Sequence, residues 1–248
     1  MRVQPRLHLA TVGLVAVIAA SGCAQAGPVL AGDAMTAPAP AGSTAAPTLP
    51  RLSARPVPDQ APTVIPVSAF LALPDGMRFG DIRRRADADN AVPRLCGGEL
   101  ASRGRTAASA AVFSVYQDAD APSVAIRGVL YQTIRTYPGN GAAGFMRGLR
   151  ADLASCDAFS RDGVRFRVRT AALDGAGDEA LTVDVIQPQL DLPGNPVGGE
   201  QTNRAVVVRI GDTVTILWDE AYERSSTDPD IFADFTRRAV DTIHAWRR

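Results

Sequence analysis

Beyond about residue 66 the spacing of apolar residues changes period several times, and each change marks an element. Ser68 stands where it can cap a short helix running through Leu73, with Pro74-Asp75-Gly76 as the turn that ends it. Met77 to Arg105 is polar and irregular, apart from a helical turn suggested around Ile82. Ala108 to Gln117 and Ser123 to Thr136 are rich in Val, Phe, Tyr and Ile, and the turn from Asp118 to Pro122 joins them as a hairpin. Tyr137-Pro138-Gly139 stops the second strand. From Asn140 onward Phe145, Leu149 and Leu153 recur every four residues, the stripe of a helix ending near Cys156. Gly163 to Thr170 alternates strictly, with Val164, Phe166 and Val168 on one side and Arg165, Arg167 and Arg169 on the other, as in a half-buried strand. A strand at Glu179 to Gln187 follows, then a Pro/Gly-rich loop from Pro188 to Gly199. Arg204 to Ile210 and Thr213 to Trp218 flank Gly211-Asp212 as a tight hairpin. The last element is a helix from Asp228 to Trp246, with Pro229 in its first turn and Ile231, Phe235, Ala239, Ile243 and Trp246 as its buried stripe.

Strands joined by hairpins and interrupted by two long helices predict an α+β fold: a mainly antiparallel sheet of about six strands with both long helices packed on one face. Residues 67–248 suffice for a single domain with its own core.

The N-terminus carries a different signal. Arg2 and Arg6 precede an apolar run from Leu9 to Ala20, too short to span a bilayer roughly 30 Å thick, so residues 1–22 read as a signal peptide. Ala20-Ser21-Gly22-Cys23 resembles the lipobox of bacterial lipoproteins, which implies lipidation of Cys23 and a membrane held through that lipid. Ala24-Gln25-Ala26 is also a site for ordinary signal peptidase, and cleavage there releases the chain. Residues 23–66 hold nine of the 18 prolines among Ala, Gly, Ser and Thr, the composition of a disordered tether. Export places the domain where thiols oxidise. With Cys23 acylated, Cys96 and Cys156 are left to form a disulfide.

Charge and motifs narrow the function. Every basic residue is arginine, and loss of Arg2 and Arg6 leaves 24 arginines against 26 acids, without the positive field that nucleic-acid binding needs. One of the two histidines, His8, lies in the signal; the other, His244, falls on the last helix as a surface or boundary residue. No G-x-S-x-G, H-E-x-x-H, S-x-x-K or Walker loop is present, so neither catalysis, a cofactor nor a metal is expected. Asp87, Asp89 and Asn90 loosely suggest calcium ligation, but an EF-hand's glycine and distal glutamate are missing. Asp178-Glu179 and Asp219-Glu220 are nominal acid–base pairs. Arg165, Arg167 and Arg169 could grip an anion from one strand face.

An order of features then carries a family resemblance. Cys96 precedes a strand pair, Tyr137-Pro138 leads into an Ala-rich helix ending at Cys156, Gly177-Asp178-Glu179-Ala180 opens a strand, and Val206 to Val214 forms a late hairpin. In this order they resemble the PknH-like extracellular sensor domain of actinobacteria, which occurs on receptor-type kinases and on free-standing lipoproteins. The resemblance covers most of residues 67–248. It implies an α+β domain with a ligand cleft between sheet and helices, and no catalytic residue. The chain departs from the kinase ectodomain in having one cysteine pair available where a second is expected. The expected function is a membrane-tethered, extracytoplasmic, non-catalytic domain for a small-molecule or cell-envelope ligand, signalling through a protein partner. The alternatives are an envelope structural or protein-interaction module without a small-molecule site, and a hydrolase using carboxylates.

Overall fold

The computed structural model describes residues 60–97, 100, 104–120 and 125–248. A 3-10 turn, Val67–Ala69, stands where a short helix was expected, and a second, Asp75–Met77, falls at the expected Pro74-Asp75-Gly76 turn. The Leu71 amide, which would have continued such a helix, donates to Oε1 of Gln132 in the sheet at 2.8 Å. The domain's contacts begin before residue 67: Thr136 Oγ1 donates to the Pro62 carbonyl at 2.6 Å, and Ile65 packs against the core.

Eight strands and two helices follow: β1 (Arg78–Ala86), β2 (Ala108–Gln117), β3 (Ile126–Thr136), α1 (Gly141–Leu153), β4 (Ala158–Arg161), β5 (Val164–Ala172), β6 (Glu179–Leu190), β7 (Pro196–Ile210), β8 (Thr213–Ala221) and α2 (Pro229–Arg247). They form one antiparallel sheet in the order β1-β2-β3-β8-β7-β6-β5-β4. Two meanders, β1 to β3 and β4 to β8, are thus joined through α1, and β8 closes the second against the first.

The sheet exceeds the expected six strands at its two edges. β1 replaces the suggested helical turn at Ile82; its exposed Arg83, Arg84 and Arg85 hide the strand period and suit an edge, where charge discourages pairing with other chains. β4 is four residues long and turns into β5 at Asp162-Gly163, where both φ values are positive, the backbone of a tight hairpin. The loop expected at 188–199 is instead mostly strand. There β6 and β7 run past β5 and β8 as a two-stranded arm, so Pro188 interrupts no neighbouring ladder.

The helices lie on opposite faces, not on one. Phe232, Phe235, Ala239 and Ile243 of α2 pack with Val112, Leu130, Ile134, Val206, Val208 and Leu217. Phe145, Met146, Leu149 and Leu153 of α1 pack with Phe166, Val168, Val183, Val207, Val214 and Ile216. Adjacent residues of β7 therefore face different helices, which is why Ala205-Val206-Val207-Val208 is continuously apolar. Asp228 caps α2 through Oδ1, accepting from the Asp230 and Ile231 amides at 3.0 and 3.2 Å.

Candidate ligand-binding cleft

The α1 face of the sheet is covered by two separate pieces. Helix α1 lies over β5 to β8. Over β3 the cover is the segment after β1, whose Val92, Leu95 and Leu100 join the same cluster. Arg135 on β3 fastens this segment. It is fully buried, and its guanidinium donates to the carbonyls of Leu100 and Ala88 at 2.7 and 3.1 Å and to Asp89 Oδ1 at 3.3 Å. Thr133 Oγ1 adds a bond to the Ala91 carbonyl at 3.3 Å. A lone charge inside the otherwise uncharged run Leu130 to Thr136 was the sequence signal for this clasp, and it was missed.

Beside the covering segment, strand register lines up three aromatic residues on one face. Phe113 of β2 lies opposite Tyr131 of β3, and Tyr131 lies opposite Trp218 of β8. All three are half-buried, and the Phe113 and Tyr131 ring centres are 5.9 Å apart. Tyr131 and Trp218 form the floor of a cleft of ≈ 350 Å³, with Pro93 in the covering segment and Arg94, Arg161 and Glu220 at the rim. Burial first, and the neighbouring Glu220 carboxylate second, push the Tyr131 phenol above its ordinary pKa.

The rim charges come from three elements. Arg94 bonds to Asn90 within the covering segment. Arg161 ends β4 with its guanidinium carbon 5.6 and 5.1 Å from the Phe159 and Phe166 ring centres, and those rings stack at 4.8 Å. Among the described residues neither arginine has a carboxylate partner. Cys96 and Cys156 form the disulfide, with Cα atoms 5.9 Å apart. Since Cys96 follows Arg94 by two residues and Cys156 shortly precedes β4, the bridge ties together the two segments that carry the rim arginines.

Other candidates fall elsewhere. Arg165, Arg167 and Arg169 share a strand face, opposite Phe166 and Val168, away from the cleft; Arg167 is engaged by Glu200 at 2.6 Å. Asp87 Oδ1 accepts from the Asp89 and Asn90 amides at 2.9 and 3.3 Å, a turn that the Asp89–Arg135 pair completes. Asp178 and Glu179 both bind Arg209; Asp178 also accepts from the Gly211 amide at 2.7 Å, and Glu179 pairs with Arg150 of α1. Asp219 and Glu220, adjacent on a strand, point to opposite faces: the first is buried under α2 and the second is exposed at the cleft. His244 is exposed on α2. Cys23 lies outside the described residues.

A second hollow, ≈ 320 Å³, lies on the other face between α2 and the β5–β6 turn, lined by Leu173, Ala176, Val206, Phe232 and Val240. Its arginines are already paired, Arg204 with Asp184 and Arg237 with Asp234. The aromatic cleft differs in that its two rim arginines have no carboxylate partner among the described residues.

No family model matches the chain, and no curated protein matches it in sequence. Among solved structures, the crystal structure of the extracellular domain of PknH from Mycobacterium tuberculosis is similar with a TM-score of 0.38 and 11% identity, over 55% of this chain and 64% of that one. The chain thus spans less than two thirds of that domain, and the likeness is a weak one at the level of the fold.

Proposed function

We propose that this protein is a lipid-tethered, extracytoplasmic binding domain that acts without catalysis and holds a small or cell-envelope ligand in the cleft over Tyr131 and Trp218. The cleft carries this reading: an aromatic floor supplies contact area, and Arg94, Arg161 and Glu220 converge from separate segments to orient a bound molecule. The Cys96–Cys156 disulfide supports an oxidising compartment. The Ala20-Ser21-Gly22-Cys23 motif supports anchoring through Cys23, and a bound state would be passed on through a protein partner.

Two measurements test the proposal. A thermal-shift screen of the purified protein against envelope glycans, lipids and metals should find a ligand that raises the melting temperature, and Trp218→Ala or Tyr131→Ala should remove the shift. A ligand whose shift survives both substitutions would move the site away from the cleft. Cys23→Ser should move the protein from the membrane fraction to the soluble one, and its retention in the membrane would refute the lipid anchor.

A second reading, a protein-interaction module, is favoured by the β6–β7 arm, whose tip presents Leu192 fully exposed, with Val197 also exposed on the same arm.

A further inference from the structure

We infer that the cleft takes a saccharide ring bearing a single acidic substituent, an inference that rests on the cleft being the ligand site. Phe113, Tyr131 and Trp218 occupy three adjacent strands in register. Of these, Tyr131 and Trp218 line the cleft, and at roughly 4.8 Å between strands their ring positions make a floor about 5 Å across, the width of one sugar ring. Half-buried rings on a sheet face offer flat apolar area with solvent at the edges. The complementary ligand has one flat C–H-rich face and a hydroxylated perimeter, which is the form of a pyranose.

The rim decides the charge. Arg94 and Arg161 against Glu220 leave one net positive charge beside the floor. Two guanidinium groups oppose a quaternary ammonium ligand, which the rings alone would have attracted. One net charge suits a monoanion; a polyphosphate would meet Glu220 without enough cations to offset it. Arg161 is set for a carboxylate, because a guanidinium held over aromatic rings keeps its in-plane N–H donors available for a bidentate pair. Glu220, an exposed acceptor on the same rim, suits sugar hydroxyl groups.

The chain has two tryptophans, Trp218 in the floor and Trp246 on α2, so Trp246→Phe in the full chain leaves the floor indole as the only tryptophan reporter. The probes are galacturonic acid and N-acetylmuramic acid, the methyl ester of each as a neutral version of the same ring, and AMP as a monophosphate that can stack. At least one of the sugar acids should change Trp218 emission saturably, with its ester binding about tenfold more weakly or worse, a difference of about 1.4 kcal/mol. The exposed-site variant Arg94→Gln/Arg161→Gln should bring that acid down to its ester's affinity and leave the ester unchanged. Equal affinity of acid and ester, or AMP binding more tightly than both acids, overturns the sugar-acid inference while leaving the cleft as a ligand site. Silence of Trp218 toward every probe overturns it as well. If the thermal-shift screen also finds no ligand that depends on Tyr131 or Trp218, the cleft itself fails as the site.

Discussion

Replacing Asp219 with Asn should remove one source of the protein's pH dependence, so that the variant gains stability on the wild type as pH rises toward neutral. Asp219 is fully buried on β8, where Oδ2 accepts from the Tyr116 hydroxyl at 3.0 Å and Oδ1 has no hydrogen-bond partner among the described residues. Desolvation raises its pKa from 3.8 to about 6, against the opposing pull of the Thr227 and Tyr116 hydroxyls and Arg127. The folded protein therefore keeps this proton up to about pH 6, while the unfolded chain releases it near pH 4. Between those values the folded state binds more protons, so the contribution of this group to stability falls as pH rises. The full contribution is present below about pH 4 and is lost once pH has passed about 6. A shift of about two pKa units corresponds to ~3 kcal/mol. Urea denaturation of the wild type and Asp219→Asn from pH 4 to pH 8 measures it directly. The stability of the variant relative to the wild type should climb by ~3 kcal/mol between pH 4 and pH 6 and then level off. Any pH-independent offset from the unsatisfied amide drops out of this comparison. A difference that stays flat across the range, or that favours the wild type increasingly as pH rises, would refute the reasoning.

Three further substitutions probe the scaffold. Removing the disulfide with Cys96→Ala/Cys156→Ala opens a loop of sequence separation 60, and the chain-entropy relation puts the loss near 4 kcal/mol, read by denaturation with and without reductant. A loss below about 1 kcal/mol would mean that the unfolded chain is not constrained by the bridge. Gly177→Ala should destabilise by about 2 kcal/mol or more, because Gly177 sits at φ +62° and a Cβ there would lie 2.5 Å from the Arg209 carbonyl oxygen; an unchanged denaturation midpoint would contradict this. Arg135→Met should cost ~3 kcal/mol and expose the 87–97 segment to limited proteolysis, since it removes the charged donors that bind Leu100, Ala88 and Asp89. Resistance equal to the wild type would remove Arg135 from its role as the clasp.

Much of the fold could be read from local pattern because several elements bury a single face. The α1 stripe at Phe145, Leu149 and Leu153, and the alternation in β5, have one core side and one outer side, so their periods survive in the sequence. Central β7 and β8 are covered on both faces, and there the signal becomes a continuous apolar run that could have placed a helix on each side. The edges were lost for the opposite reason: β1 exposes three successive arginines, and β4 is too short to show a period. The cysteine pair needed only compartment and count. The cleft could not be found this way, since Phe113, Tyr131 and Trp218 belong to three strands that only tertiary register aligns.

That register also explains why the cleft, and not the arginine row, is the more specific feature of this lysine-free chain. Arginine takes every cationic role here, and much of it is used structurally: Arg204 with Asp184, Arg209 with Asp178 and Glu179, and Arg247 with Asp212 hold strands, turns and α2 together. An arginine without an acidic partner is not rare, and Arg165 and Arg169 have none among the described residues. Those two stand on the strand face opposite Phe166 and Val168, away from the cleft. Arg94 and Arg161 differ because both line one hollow with an aromatic floor, on segments joined by the Cys96–Cys156 bridge. The bridge limits how far those two segments can separate, so under the proposed binding function its removal would lower ligand affinity as well as global stability. Glu220 points into the same hollow because β8 alternates, sending Asp219 under α2 and its neighbour to the rim, so one dipeptide contributes a buried titrating group to one face and an exposed carboxylate to the other.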